Sequence, residues 1–566
     1  MSESAPFGQR FPRALQWTLL GLNALNCVFQ IAWFWRWSIH RVSVDGINYI
    51  GLARHIVDGD YRLSLHGYWS PLVTWFIAAA SPFTKNLEVA GKVVTVGSFL
   101  LCLPLLYWLT LRLWHSPTAA ALAVFWFSIA RGIVAKAAGS VLADFLLTAF
   151  VLTYFVLLWH ALRTNQRRTW LALGGCHALA FLAKAIAMPW LSIPTSLALL
   201  LRNLRAPRRL VVCSALAFLL PALTWFGWGV ALKTKYGVFT TGYQLRRNLW
   251  VNWHRTQTGY PQGNPLAYAD VPLDYDKYMV SWGTSLRDLQ NFSLRNPALL
   301  GMILKTEAEN LPSAVKEVVI LLTPAGTLAT GTMVLLLIQQ RRMFRLEVEF
   351  ASIVVVSAVG LICAYCMLVF DNRYVMPLIP PLIAVCCPLV LPEDQAGASP
   401  MLARWMRRVL LGLFVASTIF FMIYRASPFR TGNRDFVMSC FEGATYLRNN
   451  KSAGTLVSIG DGPYPEHGVG WEAATYLAYM SGWRLVGQNS ALPPTHAEAE
   501  QLVNAAVASK SDAIAIWGKP TDDIYSYVLA KILETANSNA TRKLLDPYKG
   551  EVGTLILTNT DRVKRQ

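Results

Sequence analysis

Residues 41–71 read RVSVDGINYIGLARHIVDGDYRLSLHGYWSP, a polar and aromatic stretch that follows one apolar run and ends where hydrophobicity resumes. It carries Asp45, Tyr49, Arg54, His55, Asp58 and Asp60 in a chain whose charged residues make up only 15%. Ionisable groups concentrated beside apolar runs either reach back to water or line a site. Ala14 to Trp35, just before this stretch, is long enough to cross a bilayer, which takes about 20 residues. Leu72 to Phe83, just after it, is too short to cross and is expected to lie as a helix along the outer interface.

The same pattern repeats along the chain. Hydrophobic residues make up 54% of the 566, mean hydropathy is +0.37, and Trp and Tyr each occur 21 times. This excludes an ordinary soluble protein and predicts a polytopic α-helical membrane protein. The formal charge of +19 does not imply a nucleic-acid partner, because Lys and Arg sit mainly in short links between apolar runs, where they orient a chain in a bilayer. Eight of the nine cysteines fall inside apolar runs and read as small buried hydrophobes, with Cys440 alone in a polar region. Neither a disulfide framework nor a zinc site is expected, and Cys363 and Cys366 read as packing residues.

The spans expected are Ala14–Trp35, Leu87–Leu113, Thr118–Val134, Leu142–Leu162, two short helices within Trp170–Leu201, then Leu210–Leu232, Glu317–Ile338, Phe350–Phe370, Tyr374–Leu391 and Val409–Tyr424. That makes about eleven transmembrane helices, and up to thirteen if further runs cross. Arg10 and Arg13 place the N-terminus inside, and an odd count places the C-terminus outside. The membrane domain is thus read as 1–424, with outer loops 36–86 and 233–316. From 425 to 566 short apolar runs alternate between helix and strand character, which predicts a soluble extracytoplasmic α/β domain.

This topology gathers Asp45, Lys136, Asp144, Lys184, Asp371, Asn372 and Arg373 at one depth on the outer side, and a polar cavity accounts for them better than separate snorkelling residues. Asp144 at the start of a span has the alternative of a helix N-cap. His55 and His66 read as solvated surface, since no metal-ligand spacing includes them. Asp461 and Glu466 to His467, in a glycine-rich loop after a predicted strand, read as turn residues.

Five motifs in order resemble the GT-C glycosyltransferases, in the branch of protein O-mannosyltransferases and the lipid A aminoarabinose transferase. They are DGINY with Asp45 and Tyr49, YWSPLVTWF, VLADFLL with Asp144, FLAKA with Lys184, and DNRYVMPLIPP with Arg373 and Tyr374. In two places the chain departs from that pattern. Gly46 stands where a second acid often follows the first, and Trp69 to Pro71 stand where a lysine commonly precedes the prolines. The resemblance implies a GT-C fold and an enzyme of the inner membrane of a bacterium. Such an enzyme takes a sugar from a polyprenyl-phosphate donor, inverts the anomeric carbon, and passes the sugar to a lipid, glycan or protein hydroxyl.

The residue types suit that chemistry. A hydroxyl needs a carboxylate to take its proton, a role for Asp45, and Asp144 is a second catalytic acid that would hold the acceptor or orient a cation. The leaving phosphate needs cations and donors: Lys184, Arg246, Arg247 and Arg373, with Tyr49 and Tyr374. Asp45 and Asp144 are also the oxygen ligands that a divalent cation such as Mg or Mn would use, although such ions usually want more than two carboxylates. The rival readings are a transporter and an envelope polysaccharide ligase. No second copy of the first half supports the former, and His254 in NWHRTQ keeps the latter open.

Overall fold

A computed structural model describes residues 13–38, 42, 44–84, 86–130, 132–258, 267–271, 297–339, 345–367, 372–387, 432–450, 453–459, 477–489, 495–518, 523–535, 541–548 and 551–557. The chain divides into two compact units. One comprises Met1–Val42, Leu52–Asn248 and Leu294–Ala426; the other comprises Ser43–Gly51, Leu249–Ser293 and Ser427–Gln566.

In the first unit the apolar runs fold as helices. They are α1 (Arg13–Ser38), α2 (Val44–Val57, whose first turns belong to the second unit), α3 (Tyr61–Ser64), α4 (Pro71–Thr84), α5 (Leu87–Trp114), α6 (Pro117–Ile129), α7 (Ile133–Gly139) and α8 (Ala143–Thr164). There follow α9 (Arg167–Ala183), α10 (Ala187–Asn203), α11 (Pro207–Tyr236), α12 (Gln244–Thr258), α13 (Pro297–Gln339) and α14 (Arg345–Cys366). A 3₁₀ segment, Asn372–Leu378, then leads into α15 (Ile379–Cys386). Among the described residues α1, α5, α8, α11 and α14 are long and apolar enough to cross a membrane, and α6 with α7, bent by 59°, make a sixth if counted together. The expected span Val409–Tyr424 lies outside the described residues.

Most boundaries fall near the expected ones. The 170–201 stretch is indeed two short helices, α9 and α10, of 17 residues each, and α4 is a short apolar helix. The largest difference in a helix boundary is at α13, which runs for 43 residues and starts at Pro297, not at Glu317. Hydropathy missed its first half because Lys305, Glu307, Glu309 and Lys316 interrupt the apolar run. A long helix tolerates them, and Lys305 and Glu309 pair across one turn at 3.9 Å.

The unit is built around α8. Of its most apolar stretch 78% is buried, against 11% for α1 and 17% for α11, so the latter two present Leu25, Phe29, Val211 and Phe226 outward, as lipid-facing positions do. With no water in hydrocarbon, each buried donor must find a protein acceptor. Indole N–H groups therefore tie distant helices: Trp114 donates to the Ala384 carbonyl (2.7 Å), Trp126 to Leu322 (3.1 Å) and Trp190 to Ser357 (2.7 Å). Helices α9 and α11 approach closely at Gly174, where a Cβ would lie 2.6 Å from the Ala217 carbonyl oxygen, in keeping with small residues at helix interfaces in bilayers.

The second unit carries a six-stranded sheet in the order β1-β3-β2-β4-β6-β5. The strands are β1 (Ala267–Val271), β2 (Thr455–Ile459), β3 (Arg484–Asn489), β4 (Ala513–Gly518), β5 (Thr541–Tyr548) and β6 (Glu551–Leu557), with helices α16 (Gly432–Asn450), α17 (His496–Ala508) and α18 (Asp523–Thr535). The three central strands are parallel and the flanking ones antiparallel. Alternate residues Val457, Ile459, Ile514, Ile516 and Ile556 bury one face against Leu502, Val503, Val528 and Ile532 of α17 and α18. The expected α/β character is present. Two strands are additions: β5, and β1, which the long segment after α12 contributes to the sheet edge.

Candidate functional site

The centre of the first unit's site is the junction of α9 and α10. Lys184 is the C-cap of α9; its backbone is extended, and its N–H still donates to the Ala180 carbonyl. Three residues, 184–186, separate the two helices, and α10 starts at Ala187. The side chain leaves the broken backbone toward α8, where Nζ meets Asp144 Oδ1 at 2.6 Å. Asp144 is not the N-cap: that position is Leu142, without a side-chain cap bond, so the carboxylate serves the lysine. The pair is nearly enclosed, with side-chain exposures of 12% for Lys184 and 3% for Asp144.

Two tyrosines complete this arrangement. Tyr374, from the 3₁₀ segment, stacks on Tyr365 of α14 with ring centres 4.3 Å apart and planes 15° from parallel. Lys184 Nζ lies 4.4 Å from the Tyr374 ring centre and 5.6 Å from that of Tyr365, close enough for cation–π attraction. The guanidinium of Arg373 lies 5.5 Å from the Tyr374 ring centre. The Lys184, Arg373 and Lys136 charges all act on Asp144. One carboxylate in the field of three cations leaves a positive excess, suited to an incoming anion.

Lys184, Tyr365 and Tyr374 open onto a cavity of about 310 Å³. Its other walls come from residues 66–71, from α9 and α11, and from the segment around 241–248. Tight contacts hold the first and last of these walls together. Tyr243 N–H donates to the Gly67 carbonyl (2.9 Å), and the Tyr236 hydroxyl accepts from Gly67 N–H (3.0 Å). Gly242, at φ +140, lies where a Cβ would be 2.7 Å from that same carbonyl oxygen. A side chain there would push the two walls apart.

Here one expectation is overturned. His66 is 1% exposed and lines the cavity, so it is not a solvated surface residue. Its Nδ1 accepts from the N–H groups of Tyr68 (2.9 Å) and Trp69 (3.2 Å), which places the ring proton on Nε2. The backbone of the YWSP motif is thereby shaped by the histidine before it. Trp69, in place of the lysine common in the resembled pattern, is a wall of the cavity.

The remaining candidates are placed as follows. Arg247 holds its guanidinium 5.2 Å from the ring centre of Tyr68, itself a cavity wall, and Arg246 is half-buried beside it on α12. Asp45 and Tyr49 lie one helical turn apart on α2, the acid half-buried and the tyrosine buried, in the piece that belongs to the second unit. The structure thus brings Asp144, Lys184, Arg373 and Tyr374 together. Among the described residues, no three His, Cys, Asp or Glu side chains converge. Within the first unit the Asp144 carboxylate is paired with Lys184 and lies in the field of Arg373 and Lys136. Tyr365, Gln244 and Asn248 are cavity residues that the sequence did not single out.

No family model and no curated protein matches the sequence. Solved structures do. The crystal structure of ArnT from Cupriavidus metallidurans in the apo state aligns with a TM-score of 0.52 at 11% identity, covering 96% of this chain and 99% of that one. The fold is that of ArnT. The crystal structure of the same ArnT bound to undecaprenyl phosphate aligns equally far, with a TM-score of 0.51 at 11% identity. The fold class expected from the sequence, a polytopic helical membrane protein with a further sheet-bearing unit, agrees with this likeness.

Proposed function

We propose that this chain is an integral-membrane glycosyltransferase that moves a sugar from a polyprenyl-phosphate donor to a hydroxyl of a lipid, glycan or protein. The observation that carries the reading is the Lys184 ammonium at the cavity wall, backed by Asp144 at 2.6 Å and flanked by Tyr374 and Tyr365. Support comes from the ArnT fold, one crystal structure of which holds undecaprenyl phosphate.

In this reaction the acceptor O–H attacks the anomeric carbon as the bond from that carbon to the phosphate oxygen breaks. Inversion follows from in-line attack. The proton passes to the carboxylate of Asp45, and the polyprenyl phosphate departs with both bonding electrons. Lys184 and Arg373 stabilise the charge developing on it, Arg246 and Arg247 add cations, and Tyr49 and Tyr374 donate hydrogen bonds. Asp144 aims Lys184 through their 2.6 Å ion pair. The assignment of Asp45 rests on its place in the DGINY motif. The same reading puts the protein in the inner membrane of a bacterium, with a cytoplasmic N-terminus, residues 1–424 as the membrane domain, and residues 425–566 extracytoplasmic.

The test is transfer from a polyprenyl-phosphate sugar by the purified full chain in liposomes. Asp45→Asn and Lys184→Ala are each expected to lower turnover by about 10²-fold or more, the scale of lost general-base or electrostatic catalysis. The two separate by donor binding, which Lys184→Ala weakens and Asp45→Asn leaves alone. Near-normal turnover in the Asp45→Asn variant would remove the base, and near-normal turnover in both would sink the proposal.

A further inference from the structure

The link between α9 and α10, residues 184–186, supplies Lys184, Ala185 and Ile186 to the cavity wall, and Met188 and Pro189 of α10 follow them there. A side chain carried on a break in a helix keeps its aim only if both ends of the break are held. The near end is held by Lys184 N–H, which donates to the Ala180 carbonyl at 2.9 Å. The far end opens a helix that contains Pro194, which cannot donate the usual bond to the Trp190 carbonyl. Side chains from neighbouring helices grip that end. The buried His177 of α9 sets its Nε2 3.2 Å from the Ala187 carbonyl oxygen and 3.1 Å from that of Met188. Both carbonyls can only accept, so this nitrogen carries a proton and shares it between them. Further along α10, the Tyr154 hydroxyl of α8 lies 3.1 Å from the Leu191 carbonyl oxygen and 2.8 Å from Thr195 Oγ1. The two rings meet edge to face, 6.3 Å between centres and 75° between planes.

We propose that His177 is a positioning residue for the donor phosphate, acting through Lys184 by fixing the link on which the lysine stands; the proposal rests on the glycosyltransferase reading above. His177 precedes Lys184 by about two helical turns, and its hydrogen bonds land beyond the link, on the first two residues of α10. The imidazole therefore spans the break that carries the lysine. Asp144 does not do this alone. Its 2.6 Å contact fixes Nζ relative to α8, but a flexible four-carbon stem joins Nζ to the backbone. The ion pair would survive a shift of the link that turned the ammonium from the Tyr374 ring and the cavity. Tyr154 ties α10 to the helix that bears Asp144, and His177 ties α10 to the helix that ends at Lys184. Together they set both partners of the ion pair in one frame. An apolar ring would fill the same space at lower desolvation cost, so the donor on two carbonyls is the part of His177 that calls for a role.

The experiment measures equilibrium binding of undecaprenyl phosphate to the purified full chain in lipid nanodiscs. His177→Phe keeps a ring and loses the donor, His177→Asn keeps an amide too short to reach, and His177→Gln carries an N–H donor at nearly the reach of Nε2. The Phe and Asn variants are each expected to bind about tenfold more weakly, and the Gln variant to stay within about twofold of the unaltered protein. In a Lys184→Ala background the effect of His177→Phe should shrink below about twofold, because the group through which it acts is gone. Equal weakening in both backgrounds would show that His177 merely keeps the wall in shape, and overturns the proposal. Normal binding by His177→Asn, or a loss in His177→Gln as large as in His177→Asn, overturns it too. Should His177→Phe fail to fold, the Asn and Gln variants decide by that same criterion. If the unaltered protein binds undecaprenyl phosphate and this pattern is missing, the role of His177 falls and the glycosyltransferase reading stands. If the unaltered protein does not bind it, both fall.

Discussion

Two acid–base pairs, one in each unit, show how burial changes what the same chemistry does. Lys184 and Asp144 meet at 2.6 Å between helix ends, almost wholly enclosed and beside two tyrosine rings. His496 and Asp523, at the starts of α17 and α18, meet at 3.2 Å with side-chain exposures of 52% and 84%. Water and salt screen the second pair, so its attraction is small and its loss is tolerated. The first pair has been taken out of water, so removing either partner strands the charge of the other. Such a pair adds little net stability over an apolar replacement, yet it holds an ammonium in place at a cavity wall.

The sharpest break of this comparison is Asp144→Ala. It leaves Lys184 buried without its partner and is expected to cost about 3–5 kcal/mol, read as a lowered unfolding midpoint in detergent. The double variant Asp144→Leu with Lys184→Met should recover most of that stability while still failing to transfer sugar. A double variant as unstable as Asp144→Ala would show that the loss comes from packing and not from a stranded charge.

Gly174→Val serves as the packing control. Its Cβ would meet the Ala217 carbonyl oxygen at 2.6 Å, and forcing α9 from α11 should cost about 1–3 kcal/mol. Donor affinity should fall far less than in Lys184→Ala, since no cation is removed. Equal losses of affinity would mean that helix spacing, and not the lysine charge, sets binding. A smaller effect again is expected from Asp523→Asn. The exposed pair is worth below about 1 kcal/mol before screening, and amide hydrogen exchange in α17 and α18 of the full chain should barely change, and not at all in 1 M salt.

The contrast also explains what could be read before the fold was known. Asp144 and Lys184 stand out because an ionisable residue inside an apolar run is costly and needs a reason. Both were legible, as were the short helices on either side of Lys184. Tyr365 was not, because a tyrosine in the run LICAYC looks like any interfacial aromatic until Tyr374 stacks on it. His66 was misread because nothing in its spacing reveals that two backbone N–H groups would point at its ring. Gln244 and Asn248 stand beside a wall joined by contacts far apart in sequence, such as the Gly67 to Tyr243 hydrogen bond. Strand β1 was hidden for a similar reason: five residues, AYADV, in a long polar segment become a strand by pairing with β3.

The smallest effect expected is also the one with a defined dependence on pH. On α18, Lys531 and Glu534 pair at 2.9 Å at the surface, with side-chain exposures of 40% and 70%. The lysine beside it holds the Glu534 carboxyl below its ordinary value, and the carboxylate in turn holds the Lys531 ammonium above its own. A carboxyl with a depressed folded pKa contributes stability that is present at neutral pH and fades as pH falls through its folded value. An ammonium with a raised folded pKa contributes stability that is present at neutral pH and fades as pH rises through its folded value. The pair therefore acts between the two limits and vanishes beyond either. Glu534→Gln should slightly speed amide exchange in the last turn of α18 at neutral pH and low salt. The difference should fade as pH falls below the ordinary glutamate range and through the lower folded value of Glu534, and at high ionic strength, where exposed charges are screened. A difference that survived at low pH would point to the shape of the side chain and not its charge, and the contrast with Lys184 and Asp144 would then rest on packing instead of burial.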